Sequence, residues 1–261
     1  MSDIRIAAQL YTLREFMKTP EGIAGTLKRV KEIGYDAVQV SGMGHIDRGK
    51  AELIKKTTEE LGLTICATHV GFDELENDMD WMIELHKMWD SRYVGLGAMP
   101  ERFRKNKEGF VEFARIASGF GRTLNENGLR FIYHNHDYEF HKFDGATGME
   151  ILFSETDPEC FDFEIDTYWV QAGGADPIWW IRKMKGRMDV IHFKDMMMYQ
   201  GKQAMAEVGE GNLNWPGIID ACRETGVRWA AVEQDICMRD PFESLRISLK
   251  NLEKFGVGPD A

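Results

Sequence analysis

The chain has 261 residues, of which 43% are hydrophobic and 29% are charged, a composition typical of a globular protein with enough apolar material for a sizeable core. The formal net charge of −11 argues against a partner that offers a phosphate backbone, so we expect no nucleic-acid partner. No segment approaches the roughly 18 consecutive apolar residues of a membrane span, and residues 1–5 do not resemble a signal peptide.

The cysteines indicate a reducing compartment. Cys66, Cys160, Cys222 and Cys237 show neither close pairing nor the spacing of a zinc ribbon. The first three lie in apolar segments, which predicts buried free thiols. We therefore expect a cytoplasmic protein that contacts no membrane.

Strand-like and helix-like segments alternate through the first half of the chain. Helical stripes of apolar residues and short apolar runs set their type. The predicted order is strand 4–9, helix 20–33, strand 37–40, helix 50–61, strand 63–69, helix 80–89, strand 93–96 and helix 107–125.

The second half contains four apolar runs, and each of them ends in a residue that can bind a divalent metal. The runs cover residues 130–136, 160–166, 188–195 and 229–235, with helices predicted at 148–155, 177–185, 216–224 and 241–255. They end in His134 and His136, Asp166, His192 with Asp195, and Glu233. Strands that deliver such residues in succession indicate one shared site at their C-terminal ends.

Eight strand–helix units at this length predict a single domain, 1–261, with the (β/α)₈ TIM-barrel fold of the α/β class. An open doubly wound sheet is the competing architecture. Its usual mark is a glycine-rich turn after the first strand, and residues 9–14 contain no glycine. The closed barrel is therefore preferred.

Each candidate site residue also has a structural alternative. His134 and His136 are two residues apart, which places both on one face of a strand. Asp166 and Glu233 end apolar runs, where an unpaired carboxylate is costly to bury and a metal would offset that cost. The alternatives are an N-cap role for Asp166 and an ordinary core role for His192.

Further residues are predicted to contact a substrate at the same strand ends. Lys194 shares a face with His192 and would hold a substrate oxygen or stabilise an enolate, with a plain ion pair as the alternative. The other predicted substrate contacts are Gln9, Tyr11, His69, Trp169, Asp195 and Gln234. For Tyr11 and Trp169, rim packing is an equal alternative.

Five motifs together resemble the xylose-isomerase-like TIM-barrel superfamily, which includes keto-sugar epimerases, sugar isomerases, inosose dehydratase and type IV apurinic endonucleases. The resemblance covers essentially the whole chain. The motifs are YHNHDYE at 133–139, DTYW at 166–169, HFKD at 192–195, VGEGNLNW at 208–215 and VEQD at 232–235. The first and last of them are especially similar to inosose dehydratase.

The resemblance implies one divalent metal held by residues from strands five to eight, usually Glu, Asp, His and Glu. Three of these positions fall on Asp166, His192 and Glu233. The first falls on His134, where the epimerases carry glutamate, and Glu139 is the alternative if its loop folds back. Two nitrogens and two carboxylates suit manganese foremost, with cobalt, iron or zinc also compatible.

The implied chemistry is removal of the proton next to a carbonyl, giving an enediolate. The predicted catalytic residues are Glu233, with His136 or Glu139 as the second proton-transfer group, and Lys194. We expect a sugar isomerase or epimerase acting on a keto-sugar or related polyol. An inosose dehydratase-like lyase is the alternative, and a non-catalytic sugar-binding barrel is a third. The sequence leaves a homo-oligomer open, and the negative charge disfavours an endonuclease.

Overall fold

A computed structural model describes residues 4–258; residues 1–3 and 259–261 of the predicted domain lie outside the described residues. Eight parallel strands form one barrel, which confirms the predicted fold class. The strands are β1 (Arg5–Gln9), β2 (Ala37–Val40), β3 (Thr64–Val70), β4 (Tyr93–Leu96), β5 (Arg130–His134), β6 (Phe161–Glu164), β7 (Val190–Phe193) and β8 (Trp229–Val232).

The strands follow each other around the ring, with β8 paired to β1 and β7. The ring closes between β6 and β7 by one bridge, in which Asp166 lies opposite His192. The backbone N–H of His192 donates to the carbonyl of Ile165 at 2.8 Å. Closure therefore occurs beside two of the predicted metal ligands.

Ten α-helices are found among residues 4–258, and most of them cover the outside of the barrel. Their starts follow the chemistry expected of helix N-termini: Thr19 caps the first helix through Gly22 N–H, and Pro20 occupies its first turn. The helices are α1 (Pro20–Ile33), α2 (Arg48–Leu61), α3 (Phe72–Asn77), α4 (Met79–Met88), α5 (Lys107–Glu126), α6 (Gly148–Glu155), α7 (Thr167–Ala172), α8 (Pro177–Lys183), α9 (Trp215–Thr225) and α10 (Pro241–Lys254).

The predicted elements are all present, with ends shifted by a few residues. Sequence patterns missed the short helices α3 and α7 and two hairpins, one joining Lys142–Phe143 to Ala146–Thr147 and the other joining Asp195–Tyr199 to Lys202–Ala206. These elements lie in loops, where the local pattern is too short to give a period.

Strand alternation divides the core into two parts. Outward-facing residues such as Val38, Phe131 and Phe163 pack with the helices in the larger apolar cluster. A smaller cluster fills the inside of the barrel below the strand ends. Its members are Ala7, Ala37, Cys66, Ala67, Tyr93, Ile132, Val190, Trp229 and Ala231. Polar residues occupy the next inward positions along the same strands, so the apolar cluster forms the floor of the site.

Two other expectations can be compared with the structure. The four cysteines are free, and Cys66, Cys160 and Cys222 are buried as predicted. Within residues 4–258, the helices are too short or too polar to traverse a lipid bilayer.

Gly95 of β4 leaves room for the ring of His69 on the neighbouring strand. A Cβ atom at Gly95 would lie 2.2 Å from the Thr68 carbonyl oxygen and 2.9 Å from His69 Cδ2. We expect Gly95→Ala to destabilise the fold by about 1–3 kcal/mol, as overpacking of a well-packed core typically does. Urea unfolding measures the change.

Gly25 provides the matched control. It is exposed within α1, and a Cβ atom there would meet no other atom within 4 Å. Gly25→Ala should stabilise the helix by up to ~1 kcal/mol. Equal unfolding midpoints for Gly95→Ala and the wild type would contradict the packing argument.

Candidate metal centre and substrate cavity

Strand alternation brings the predicted site residues together inside the barrel mouth, the open end formed by the C-terminal strand ends. Residues two apart on a strand share a face, so His192 and Lys194 both point inward. Tyr133, in contrast, points outward and packs against Phe113 of α5. The alternation along each strand therefore determines which polar side chains can contact one another.

Four of the predicted ligands form a compact group, here called the metal quartet: His134, Asp166, His192 and Glu233. All four are buried, and one ligand atom from each lies within 4.8 Å of the others. His134 Nε2 lies 3.2 Å from Asp166 Oδ2, and His192 Nδ1 lies 3.1 Å from Glu233 Oε2. The quartet therefore combines two nitrogen and two carboxylate donors from β5 and from the ends of β6, β7 and β8.

The quartet fits a divalent transition metal. Metal bonds of about 2.1 Å place neighbouring ligand atoms roughly 3–3.4 Å apart, which the two distances match. Each histidine also has its remaining nitrogen bound to the protein: His134 Nδ1 to the Gly97 carbonyl at 3.1 Å and His192 Nε2 to Gln39 Oε1 at 2.8 Å. Metal-binding histidines are usually held in this way.

Lys194 lies at the edge of the quartet and is fully buried. Its ammonium group is 2.9 Å from Glu233 Oε2 and 3.3 Å from Asp166 Oδ2, and it also contacts Asp235. Burial lowers the pKa of Lys194, but these three carboxylates outweigh burial and raise it above its ordinary value. The lysine therefore provides a fixed positive charge beside the quartet.

The carboxylates of the quartet are held ionised. Burial raises the pKa values of Asp166 and Glu233, but the charge of Lys194 and the neighbouring histidines lower both below the ordinary range. Burial also lowers the pKa of His192, yet Glu164 and Glu233 raise it well above the usual value. The negative charge that raises the pKa of His192 would also favour a divalent cation, which would take the place of that proton.

Glu164 is a site residue that the sequence analysis missed. It is fully buried on β6, two residues before Asp166 and on the same face. Its carboxylate contacts His69, Gln39 and His192. Glu164 lies two residues before Asp166, and Asp235 lies two residues after Glu233, so the spacing that was used for His134 and His136 would have identified both. No spacing in the sequence indicated Gln39 on β2.

His136 and Trp169 lie next to the quartet. The strand ends at His134, yet the rings of His134 and His136 are 4.9 Å apart. Trp169 lies 5.3 Å from the His136 ring and 5.1 Å from the Lys194 ammonium nitrogen. His136 Nδ1 and Trp169 Nε1 are both buried without a hydrogen-bond partner in the protein, so both are available to a ligand.

A cavity of about 350 Å³ opens above the quartet. Its lining includes Tyr11, His69, His136, Glu233 and Asp235. The Gln9 side chain lies beside it and accepts the Tyr11 N–H at 2.5 Å. The volume suits a small polar molecule.

Glu139 is not brought to the quartet. Its carboxylate accepts hydrogen bonds from Tyr133 Oη and, at 2.8 Å, from the backbone N–H of His136. Because Tyr133 faces the helices, Glu139 lies on the outer side of β5, where burial raises its pKa to about 7. This placement favours His134 as the fourth ligand and His136 as the second proton-transfer group.

Asp195 and Gln234 are also directed away from the cavity. Asp195 accepts hydrogen bonds from the Trp215 indole at 2.6 Å and from the backbone N–H groups of Met196, Gly209, Gly211 and Leu213. It thereby holds the loop after β7 in place. Gln234 is buried and follows Glu233 in the chain, and its backbone N–H donates to Thr12 Oγ1. Both placements indicate support of the loops rather than contact with a substrate.

The sequence from residue 27 to residue 254 matches the family model described as xylose isomerase-like TIM barrel. The chain belongs to this family. The resemblance inferred from the five motifs is therefore confirmed.

Relatives and solved structures in this family carry several enzyme names. An inosose dehydratase of Lacticaseibacillus casei is 28% identical over 159 residues, 51% of each chain, so the match spans about half of that relative. A sugar phosphate isomerase/epimerase structure from Parabacteroides distasonis has a TM-score of 0.81 at 22% identity, covering 96% of this chain and 98% of the other. An L-ribulose 3-epimerase structure has a TM-score of 0.71 at 14% identity, covering 98% and 94%. The two structures share the fold.

Metal analysis tests the quartet. We expect about one divalent transition metal per chain in the wild type and loss of that metal in Glu233→Gln and in His192→Ala, because each change removes a ligand. Asp162→Asn is the control, since Asp162 is buried on β6 but pairs with Arg130 at 2.7 Å. Unchanged metal content in both ligand variants would rule the site out.

A second comparison separates His134 from Glu139. His134→Ala should lose the metal, whereas Glu139→Gln should retain it, because Glu139 is bound to Tyr133 and His136 on the outer side of β5. Metal content after dialysis is the measurement. The opposite pattern would assign the fourth ligand to Glu139.

Proposed function

We propose that this protein is a metal-dependent enzyme that removes the proton next to the carbonyl of a keto-sugar or keto-cyclitol and then eliminates a β-hydroxyl group as water. Manganese is the metal proposed first, with cobalt, iron or zinc as alternatives, because the donors combine imidazole and carboxylate. When bound at the quartet, the metal would polarise the substrate carbonyl and stabilise the negative charge that develops on it.

The choice of dehydration rests on the position of the carboxylates around Lys194. Asp166 and Glu233 both contact its ammonium group, so they lie on one side of the site. An epimerase that uses two opposed carboxylates needs a second one across the substrate. At the sequence position where the epimerases carry that glutamate this chain has His134, and Glu139 is held on the outer side of β5. Elimination needs one base that removes the α-proton and a route that delivers a proton to the leaving β-hydroxyl group.

Glu233 is the proposed base. It lines the cavity, and the proton from the substrate α-carbon passes to its carboxylate as the C–H bond breaks. Lys194, 2.9 Å from Glu233 and held by three carboxylates, stabilises through its positive charge the substrate oxygen on which negative charge develops. Both groups are buried, which excludes water and strengthens their electrostatic effect.

His136 is the proposed second proton-transfer group. Burial lowers its pKa to about 2, so its ring is neutral at rest. Its Nδ1 is buried without a partner in the protein, which leaves that atom open to the substrate for a proton relay. The proton taken by Glu233 passes through His136 to the β-hydroxyl as the C–O bond breaks. A C=C bond forms, water leaves, and the protein returns to its starting protonation state.

Isomerisation or epimerisation, the reaction that the sequence analysis expected, is the second candidate. The observation in its favour is that His136 and Glu233 approach the cavity from different strands, β5 and β8. If His136 returned the proton to carbon, the product would be an isomer or epimer. The relatives named inosose dehydratase support the first candidate, and the neighbours named epimerase support the second.

The reaction can be followed by NMR in D₂O with manganese-loaded protein and a panel of keto-inositols and keto-sugars. A dehydratase gives an unsaturated product, or its tautomer, with one water fewer. An isomerase or epimerase gives a product that has lost no water and carries deuterium at the α-carbon. Metal-dependent binding without turnover of any substrate would leave a non-catalytic sugar-binding barrel.

For His136→Asn we expect normal metal content and a loss of at least ~10²-fold in turnover, the usual contribution of a general acid–base group. Solvent deuterium incorporation should fall in parallel. Glu139→Gln is the comparison variant and should keep most of its turnover. A His136→Asn enzyme with near wild-type rate would contradict the role given to His136.

A further inference from the structure

Glu164 is a buried carboxylate that the proposed reaction does not use. It has no exposed surface and lies beside the metal quartet. Side chains from three other strands converge on it: Gln39 from β2, His69 from β3 and His192 from β7. A charge placed so deeply is costly unless its partners compensate for it, so the contacts define what it does.

Both oxygens of Glu164 have partners. Oε1 lies 2.8 Å from Gln39 Nε2 and 3.3 Å from His192 Nε2, while Oε2 lies 2.5 Å from His69 Nε2. Gln39 completes the arrangement, because its Oε1 is 2.8 Å from the same His192 nitrogen. Glu164 therefore accepts hydrogen bonds from His69 and from Gln39. The oxygen of the same Gln39 amide faces His192 Nε2, and the His192 ring lies within ion-pair distance of Glu164.

This arrangement fixes the orientation of both rings. An ionised carboxylate only accepts hydrogen bonds, so His69 Nε2 must carry a proton. The carboxylate also accepts from the Gln39 amide nitrogen, which turns the Gln39 oxygen towards His192 Nε2, so this nitrogen carries a proton as well. The Nδ1 of His192 is then turned to the quartet, 3.1 Å from Glu233 Oε2 and 3.7 Å from Asp166 Oδ2. The Nδ1 of His69 is turned away from Glu164 and lies 3.5 Å from Gln9 Nε2.

The neighbouring glycines show that the ring of His69 is closely confined. A Cβ atom at Gly97 would lie 2.9 Å from His69 Nδ1, and one at Gly95 would lie 2.9 Å from Cδ2. The ring therefore fits between β4 on one side and Glu164 at its Nε2 end. His69 also lines the cavity, so its orientation bears on what a substrate meets there.

We propose that Glu164 is a positioning residue that couples the metal centre to the substrate wall. It holds His192, through Gln39, with Nδ1 directed at the metal, and it holds His69 with Nδ1 as an acceptor beside Gln9, where a substrate hydroxyl can donate to it. For the metal and the substrate this inference rests on the proposed function; for the orientation of the two rings it rests on the contacts alone. Carboxylates that hold metal-binding histidines typically contribute 10–100-fold in metal affinity.

Glu164→Gln is a sharp test because the substitution keeps shape and volume. An amide offers one acceptor and one donor end, so it cannot accept from both His69 and Gln39, and the Gln39 amide orients His192. In metal-free protein, proton NMR of the wild type should show a hydrogen-bonded Nε2–H resonance from each of His69 and His192. We expect Glu164→Gln to lose at least one of them, and titration calorimetry with Mn²⁺ to show about 10–100-fold weaker binding.

Asp162→Asn is the matched control, since it removes a buried carboxylate from the same face of β6, two residues earlier, and its partner is Arg130. It should keep both N–H resonances and bind Mn²⁺ within about threefold of the wild type. If Glu164→Gln does not fold, Gln39→Leu replaces it: the His192 resonance should shift and the His69 resonance should remain, with a smaller loss of Mn²⁺ affinity.

Both N–H resonances retained in Glu164→Gln, with unchanged Mn²⁺ affinity, would overturn the inference, as would an unshifted His192 resonance in Gln39→Leu. The resonances are measured without metal or substrate. Absence of turnover in the wild type would therefore overturn the proposed function alone, and unchanged resonances would overturn the positioning role alone.

Discussion

Asp166 is the residue on which both the barrel and its site depend. It forms the bridge with His192 that closes the ring of strands, and its carboxylate accepts from Lys194 and contacts His134. Its other oxygen caps α7 through the Trp169 N–H at 3.1 Å. One residue thus takes part in ring closure through its backbone, and its fully buried side chain joins the metal quartet to the start of the helix that carries Trp169.

The charges around Asp166 explain why the site is built in this way. Asp166, Glu233 and Asp235 place three carboxylates around one ammonium group, that of Lys194. A fourth carboxylate, that of Glu164, lies beside His192. Removing such charges from water costs several kcal/mol each unless partners compensate. Histidines and Lys194 compensate in part, and a divalent cation would complete the balance. Function and stability are therefore coupled at the barrel mouth, while the apolar floor beneath it supports the fold alone.

Much of this arrangement could be predicted from sequence because a strand has a period of two. The spacing of His134, Asp166, His192 and Glu233 relative to the strand ends was sufficient to place them at one mouth, since parallel strands of a barrel end together. The boundaries of the longer helices followed equally from local chemistry, as with Pro20 in the first turn of α1 and Gly34 after its end. Such features depend on neighbours along the chain.

What the tertiary structure decided concerns contacts between distant segments. Glu139 follows the strand end closely in sequence, yet Tyr133 and the N–H of His136 hold it on the outer side of β5. The carboxylate of Asp195 holds the loop that ends at Trp215. Gln39 lies far from Glu164 and His192 in sequence, and only closure of the barrel brings the three side chains together. The sequence thus determined which residues face inward, whereas the hydrogen bonds across the ring determined which of them meet, because those bonds depend on strand order and on packing that no local pattern records.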